Sequence, residues 1–235
     1  MSEGEPKRAL EGKLAEDYFN LISSVGLVTT AWAHLEETLF KSFQLLSNIP
    51  HGDWQAAGVI FYTPNSFESR LQLVDKLVAY RCLKHPFWEE LDKKIFDLWA
   101  SVRGKIQKLQ NTRNRIIHGG LMQSTHDGNV TFRIHPALPD VHRSPSLAEW
   151  FKGHPGLGPN ELNVHQQAVV RVAERVQKLN EVFQLRMLML RPGNPADAIE
   201  KLRAVVTQLE NQTNTQSNPD EEQLDKTDPS RSSQG

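Results

Sequence analysis

Apolar residues recur at steps of three and four along most of this chain, the spacing that lines one face of an α-helix. From about Ala9 to Ser47 the recurring positions are Leu14, Tyr18, Leu21, Val25, Val28, Trp32, Leu35, Leu39, Phe43 and Leu46. Gly26 lies inside this run and predicts a kink or break there. Pro50 and Gly52 stop the segment. The stretch "WQAAGVIFY" is too short and too uniformly apolar for periodicity to decide, and is assigned to a short helix. A further helix begins with Asn65 or Ser66 as its cap and carries Phe67, Leu71, Val74, Leu77, Val78 and Leu83 on one stripe, ending at "KHP". A long helix then starts near Pro86 and Phe87, since proline suits a first-turn position. Its seam runs Trp88, Leu91, Ile95, Leu98/Trp99, Val102, Ile106, Leu109, Arg113 and Ile116.

After Gly119 and Gly120 the pattern changes. "LMQSTHDGNVTFRIHP" alternates, with Asp127-Gly128 at its middle, and an Asp-Gly between two β-prone runs predicts a hairpin. A proline- and glycine-rich loop follows to about residue 160, with one helical turn over 146–151. Asn160 is the expected cap of a helix over 161–191 whose face is Val164, Ala168, Val172, Val176, Leu179, Val182/Phe183 and Met187. "RPGNP" breaks it, and a last helix covers 195–212. From Thr213 onward almost nothing is apolar, so that segment cannot offset its ordering entropy and is expected to be disordered. The prediction is an all-α fold: a flexible stretch over 1–8, one helical-bundle domain over 9–212 with a small inserted β-hairpin and loop at about 120–160, and a disordered tail over 213–235.

A chain of 235 residues with 38% hydrophobic and 23% charged residues is ordinary for one folded core with some tail. The formal net charge of −1 means that attraction to nucleic acid or membrane must come from a local patch. The single cysteine, Cys82, rules out a disulfide within the chain and is expected to be a small buried hydrophobe. The first residues are polar, and no apolar run approaches the length of a membrane span, so a cytoplasmic location is the simple expectation. His126, His135, His142, His154 and His165 are spread through the loop region without the close spacing of a zinc site, and are expected to face solvent. "GHPGLGP" follows no strand and opens no helix, so it fails the test for a phosphate cradle and is expected to be loop.

The chemistry concentrates in "QKLQNTRNRIIHGG". No Asp or Glu occurs from Leu98 to His126, while the same span carries Arg103, Lys105, Lys108, Arg113 and Arg115. That is a local basic strip of the kind that meets phosphates, or else a solvated helix end that complements the macrodipole. Asn114 and His118 are i, i+4 and so are neighbours on one helix face. Histidine titrates near neutrality and is suited to proton transfer; equally, His118 sits where a histidine caps a helix ahead of Gly119. Residues 99, 102, 106, 109, 113 and 116 form an alternating 3-4 series in which Arg113 is the one charge. A charge in a seam costs several kcal/mol, as an order of magnitude, unless it is paired. A salt bridge, with Glu36 as one partner, and a functional site are the two readings.

The run Arg113-Asn114-Arg115-Ile116-Ile117-His118 resembles the signature of the HEPN superfamily, an arginine followed by a polar residue and, after four to six intervening positions, a histidine. "AWAHLEETLF", with Trp32, Leu35 and Glu36, is similar to the first helix of bacterial HEPN-like proteins, and the resemblance covers roughly Leu14 to Gly120. It implies a HEPN-like helical bundle, to which the helix from Glu161 adds a member, with the hairpin and loop outside the shared pattern. It also implies metal-independent RNA cleavage, without a cofactor, at the interface of a homodimer. His118 would then move a proton, Arg113 would stabilise phosphate charge, and Asn114 would position. Arg103, Lys105, Lys108 and Arg115 would contact RNA. An inhibitory partner protein fits that class. Arg113 and His118 point about 140° apart on a straight helix, so a composite site across a two-fold is easier to build than a site in one copy. The alternative is a non-catalytic binding or scaffolding bundle with Arg113 in a structural salt bridge.

Overall fold

The computed structural model describes residues 4–47, 49, 53–84, 88–126, 129–136, 156–189 and 195–215. The fold is all-α with one inserted antiparallel hairpin, as the periodicity predicts. In chain order the elements are α1 (Gly4–Ser47), α2 (Trp54–Tyr62), α3 (Phe67–Ala79), a π-turn (Tyr80–Lys84), α4 (Glu89–His118), β1 (Gly120–His126), β2 (Asn129–His135), α5 (Pro159–Met189) and α6 (Pro195–Thr215).

Several boundaries depart from expectation for local reasons. The helix begins at Gly4, not Ala9, because "EPKRALEGKLAED" is built of good helix formers with Pro6 tolerated in the first turn. Gly26 does not break α1, which runs unbroken for 44 residues. One helical glycine costs only about 1 kcal/mol, and the buried Leu21 and Val28 on either side hold the phase. In α3, Ser66 caps by accepting from the Ser69 N–H at 3.0 Å. The buried stripe steps from Val78 to Cys82, and Leu83, one residue further round, is half exposed. Asn160 does not cap α5: Pro159 opens it, and Asn160 lies exposed in its first turn. The Glu161 carboxylate reaches back to accept the Gly158 N–H at 3.0 Å, satisfying one of the orphan donors of the helix start. The last helix continues to Thr215. The helical turn expected over 146–151 and the tail from 216 lie outside the described residues.

The chain forms two compact units, each assembled from separated stretches. The first takes residues up to 31 of α1, 109–118 of α4, the hairpin and residues 156–168. The hairpin pairs Gly120 with His135 through His126 with Asn129, the two-residue connection that Asp-Gly predicts. Ile134 also bridges to Leu157, with two backbone hydrogen bonds of 2.8 and 2.9 Å. Leu21, Val28, Ile116, Ile134, Leu157 and Leu162 make the core of this unit, with Val25 and Phe132 against it.

The second unit takes residues 32–47 of α1, α2, α3, the π-turn, 89–108 of α4, 169–189 of α5 and α6. Trp99, Phe61, Leu35, Leu39, Leu71, Ile95, Ile106 and Leu202 are fully buried in it. Polar side chains specify its packing. Arg186, 4% exposed, donates from Nε to Asp92, 1% exposed, at 2.6 Å, and from Nη2 to the Arg81 carbonyl of the π-turn at 2.8 Å. Asn180 donates to the Thr38 carbonyl at 3.0 Å and accepts from the Ser42 hydroxyl at 2.6 Å. Cys82 is buried, as expected, and its thiol is pushed up to about 12 by that burial and by Asp92.

Candidate functional site

The expected site residues Arg113, Asn114, Arg115 and His118 all lie in the last two turns of α4, within the first unit. Ile116, 4% exposed, anchors this stretch in the apolar core and so fixes the rotation of the helix end. Arg113 is three residues before Ile116, on the core-facing side, and is half-buried; Asn114 and Arg115 are half-buried too. Ile117, on the other side, is 45% exposed, and His118 is exposed at the helix terminus.

Arg113 donates from Nη1 to Oδ1 of Asn114 at 3.2 Å. Its position in the seam is therefore one of partial burial with a hydrogen-bond partner on its own helix. Glu36, considered from the sequence as a partner, is engaged by Arg70 at 3.4 Å. Asn114 is the connecting group. Its carbonyl oxygen accepts from Arg113, and its place one turn before His118 puts its amide on the same face as the imidazole. Arg113 and His118 themselves remain on different sides of the helix.

Gly119 has a stricter role than a helix stop. A Cβ on Gly119 would lie 2.6 Å from the His135 carbonyl oxygen and 2.6 Å from Cγ2 of Ile134, and closer still to the Arg115 carbonyl. Only a glycine lets β1 leave the helix beside His118 and return its partner strand this closely. Gly120, by contrast, has open space around it.

The other basic residues of the strip belong to the second unit and differ among themselves. Arg103 donates from Nη1 to Asp75 at 2.8 Å, and the same carboxylate accepts from Nε1 of the buried Trp99 at 2.9 Å. Arg103 is thus committed to an internal carboxylate. Lys105 is half-buried, and Lys108 is exposed.

Two histidines are not where the sequence suggested. His135 lies in β2 and His165 in α5, and each is 1% exposed rather than solvent-facing. The glycines of "GHPGLGP" explain the first. Gly156 and Gly158 flank Leu157, which bridges to Ile134, so they stand opposite His135 and Arg133 on the neighbouring face. A Cβ at Gly156, whose φ is +76°, would lie 2.8 Å from the His135 ring, and one at Gly158 would lie 3.2 Å from Nη1 of Arg133. The two bare positions form a trough that the larger side chains fill. Arg133, 9% exposed, donates there to the Gly156 carbonyl at 3.1 Å and to Glu161 at 2.6 Å. Burial works to raise the Glu161 carboxyl, but hydrogen bonds from its own backbone N–H, Arg133 and Gly158 outweigh it and hold the group below its ordinary value. Sequence reading missed this clamp; an alternating Thr131, Arg133, His135 on one strand face was the available signal.

His165 has both ring nitrogens buried with no hydrogen-bond partner among the described residues. Desolvation alone pushes it down to about 4, so it is a neutral core residue at pH 7. His126 lies in β1, while His142 and His154 lie outside the described residues. Among the described residues, no group of three or more His, Cys, Asp or Glu side chains is placed to hold a metal ion. No described helix is long and apolar enough to cross a membrane. Comparison with protein-family models, with curated proteins and with solved structures finds no match to this chain.

Proposed function

We propose that the Arg113, Asn114 and His118 end of α4 is a metal-independent RNA-cleaving site of HEPN type. The observation that carries this reading is the linked set at the helix terminus: Arg113 bonded to Asn114, and Asn114 one turn from an exposed His118. In this reading the ribose 2′-hydroxyl attacks the adjacent phosphorus. His118 takes the hydroxyl proton or returns one to the departing 5′-oxygen, and the products are a 2′,3′-cyclic phosphate and a 5′-hydroxyl. Arg113 stabilises the extra negative charge on the phosphorane oxygens, and Asn114 fixes the Arg113 guanidinium. Because Arg113 and His118 diverge around the helix, a second copy across a two-fold would complete the site. Of the basic residues, Arg115, in the same unit as the site, is the stronger candidate for phosphate contact, since Arg103 is already paired with Asp75.

The test is incubation of purified protein with total RNA in a chelator, beside a His118→Ala variant. Cleavage by the wild type that leaves cyclic phosphate ends, lost in the variant, supports the site. Equal cleavage by both, or cleavage only with added divalent metal, would sink it.

A non-catalytic binding bundle is the second reading. The half-burial of Arg113 and the internal pairing of Arg103 favour it. Retained RNA binding without any cleavage would select it.

A further inference from the structure

The exposed side of α1 is unlike a solvent face. From Tyr18 to Thr30 the sequence holds no Asp, Glu, Lys or Arg, whereas a helix facing water ordinarily carries its charges there. Phe19 is 67% exposed and Ile22 43% exposed. Gly26, Thr29 and Thr30 are exposed on the same side, within a sector of about 100° at 100° per residue. Three hydroxyls of the stretch are already spent on the helix itself. Ser24 bonds the Asn20 carbonyl at 2.8 Å, Thr29 the Val25 carbonyl at 2.9 Å, and Thr30 the Gly26 carbonyl at 3.0 Å. With those hydroxyl donors turned back onto the helix, the two threonines offer fewer polar groups to water. Gly26 does not kink the helix, and a Cβ there would meet nothing within 4 Å among the described residues.

We infer that this face binds a second copy of the chain, α1 against α1, antiparallel about a two-fold between Ile22 and Ser23. The spacing is self-complementary. Phe19 and Gly26 are seven residues apart, about 10 Å along the helix. Antiparallel pairing about that centre sets Phe19 of each copy over Gly26 of the other, and places Ala15 opposite Thr30. The phenylalanine of this face meets the position with no side chain, which allows close approach. The parallel alternative sets Phe19 against Phe19 and leaves a gap at Gly26. It also brings Glu16, at the rim of the face, level with its own copy, whereas the antiparallel arrangement sets it level with the uncharged Thr29. This inference does not rest on the RNA-cleavage reading, and the experiment below does not involve RNA.

Gly26→Leu separates the dimer from the fold. In one copy the site is open and leucine is the better helix former, so thermal stability should hold or rise. In the dimer, leucine occupies the space of the partner's phenylalanine. Analytical ultracentrifugation at tens of micromolar should show twice the 26.7 kDa chain mass for the wild type. For Gly26→Leu it should show an association weakened about a hundredfold or more. Ile22→Cys should cross-link to a dimer under mild oxidation, Cys82 being buried. A wild-type monomer, or a Gly26→Leu dimer as tight as the wild type, overturns the proposal. So does a monomer that floats with lipid vesicles in a Phe19-dependent way, which would make the face a membrane contact.

Discussion

The burial of His165 predicts a defined acid sensitivity. An exposed histidine titrates near 6.5, and His165 in the fold is held down to about 4 by desolvation. Between those values the unfolded chain binds a proton that the folded chain refuses. A depressed folded-state value therefore leaves stability full above about pH 6.5 and drains it as pH falls toward 4. Linkage with these two values gives a loss of about 2 kcal/mol near pH 5 and about 3 kcal/mol near pH 4. Against a typical stability of about 5–15 kcal/mol this is a large fraction. Other groups, the carboxylates above all, also respond to acid, so the assay is a difference. Urea unfolding of wild type and His165→Leu is measured at pH 7.5, 5 and 4. Leucine matches the volume and removes both unbonded ring nitrogens, so the variant should be no less stable at pH 7.5. It should also lose about 2–3 kcal/mol less than the wild type on acidification. Parallel pH profiles for the two proteins would refute the reasoning, because they would mean that His165 protonates as easily in the fold as out of it.

Further outcomes follow from single features. Asp92→Ala should cost about 3–5 kcal/mol in chemical denaturation by stranding the buried Arg186, and Asp92→Leu combined with Arg186→Met should recover much of it; additive single and double effects would show the pair to be uncoupled. Gly119→Ala should lose about 1–3 kcal/mol through overpacking at the end of α4, while Gly120→Ala should stay within about 0.5 kcal/mol of wild type; equal melting curves for both would contradict the close approach at Gly119. Gly104→Ala, in helix with nothing within 4 Å of the added methyl, should gain about 0.5–1 kcal/mol, checked by thermal melting.

Element identity was legible wherever one periodicity ran long enough. The helices, the Ser66 cap and the hairpin turn follow from spacing, capping chemistry and Asp-Gly, all of which are local properties. What was not legible depended on contacts between distant segments. The burial of His135 requires Gly156 and Gly158 to pass beside β2, 21 and 23 residues along the chain, and no local rule announces that. Arg103 read as part of a basic strip because its partner, Asp75, lies 28 residues earlier on another helix. Gly26 was expected to interrupt α1 because local propensity counts against glycine; burial on the opposite face decides the matter instead. At the candidate site, the helix end, the shared face of Asn114 and His118, and the place of Arg113 in the 3-4 series were readable. The bond from Arg113 to Asn114 and the need for glycine at 119 were not, since both depend on side-chain and backbone proximity.

The brief pairing of Leu157 with Ile134 alters what the hairpin offers to other chains. A two-stranded ribbon has two open edges, each a row of backbone donors and acceptors able to template an incoming strand. At Ile134 both backbone groups are taken by Leu157, and Arg133 straps the same segment down through the Gly156 carbonyl and Glu161. Strand addition on the β2 side is therefore capped near its C-terminal end. Among the described residues the only strand pairing of β1 is with β2, so the two strands of the hairpin differ in what their outer edges meet.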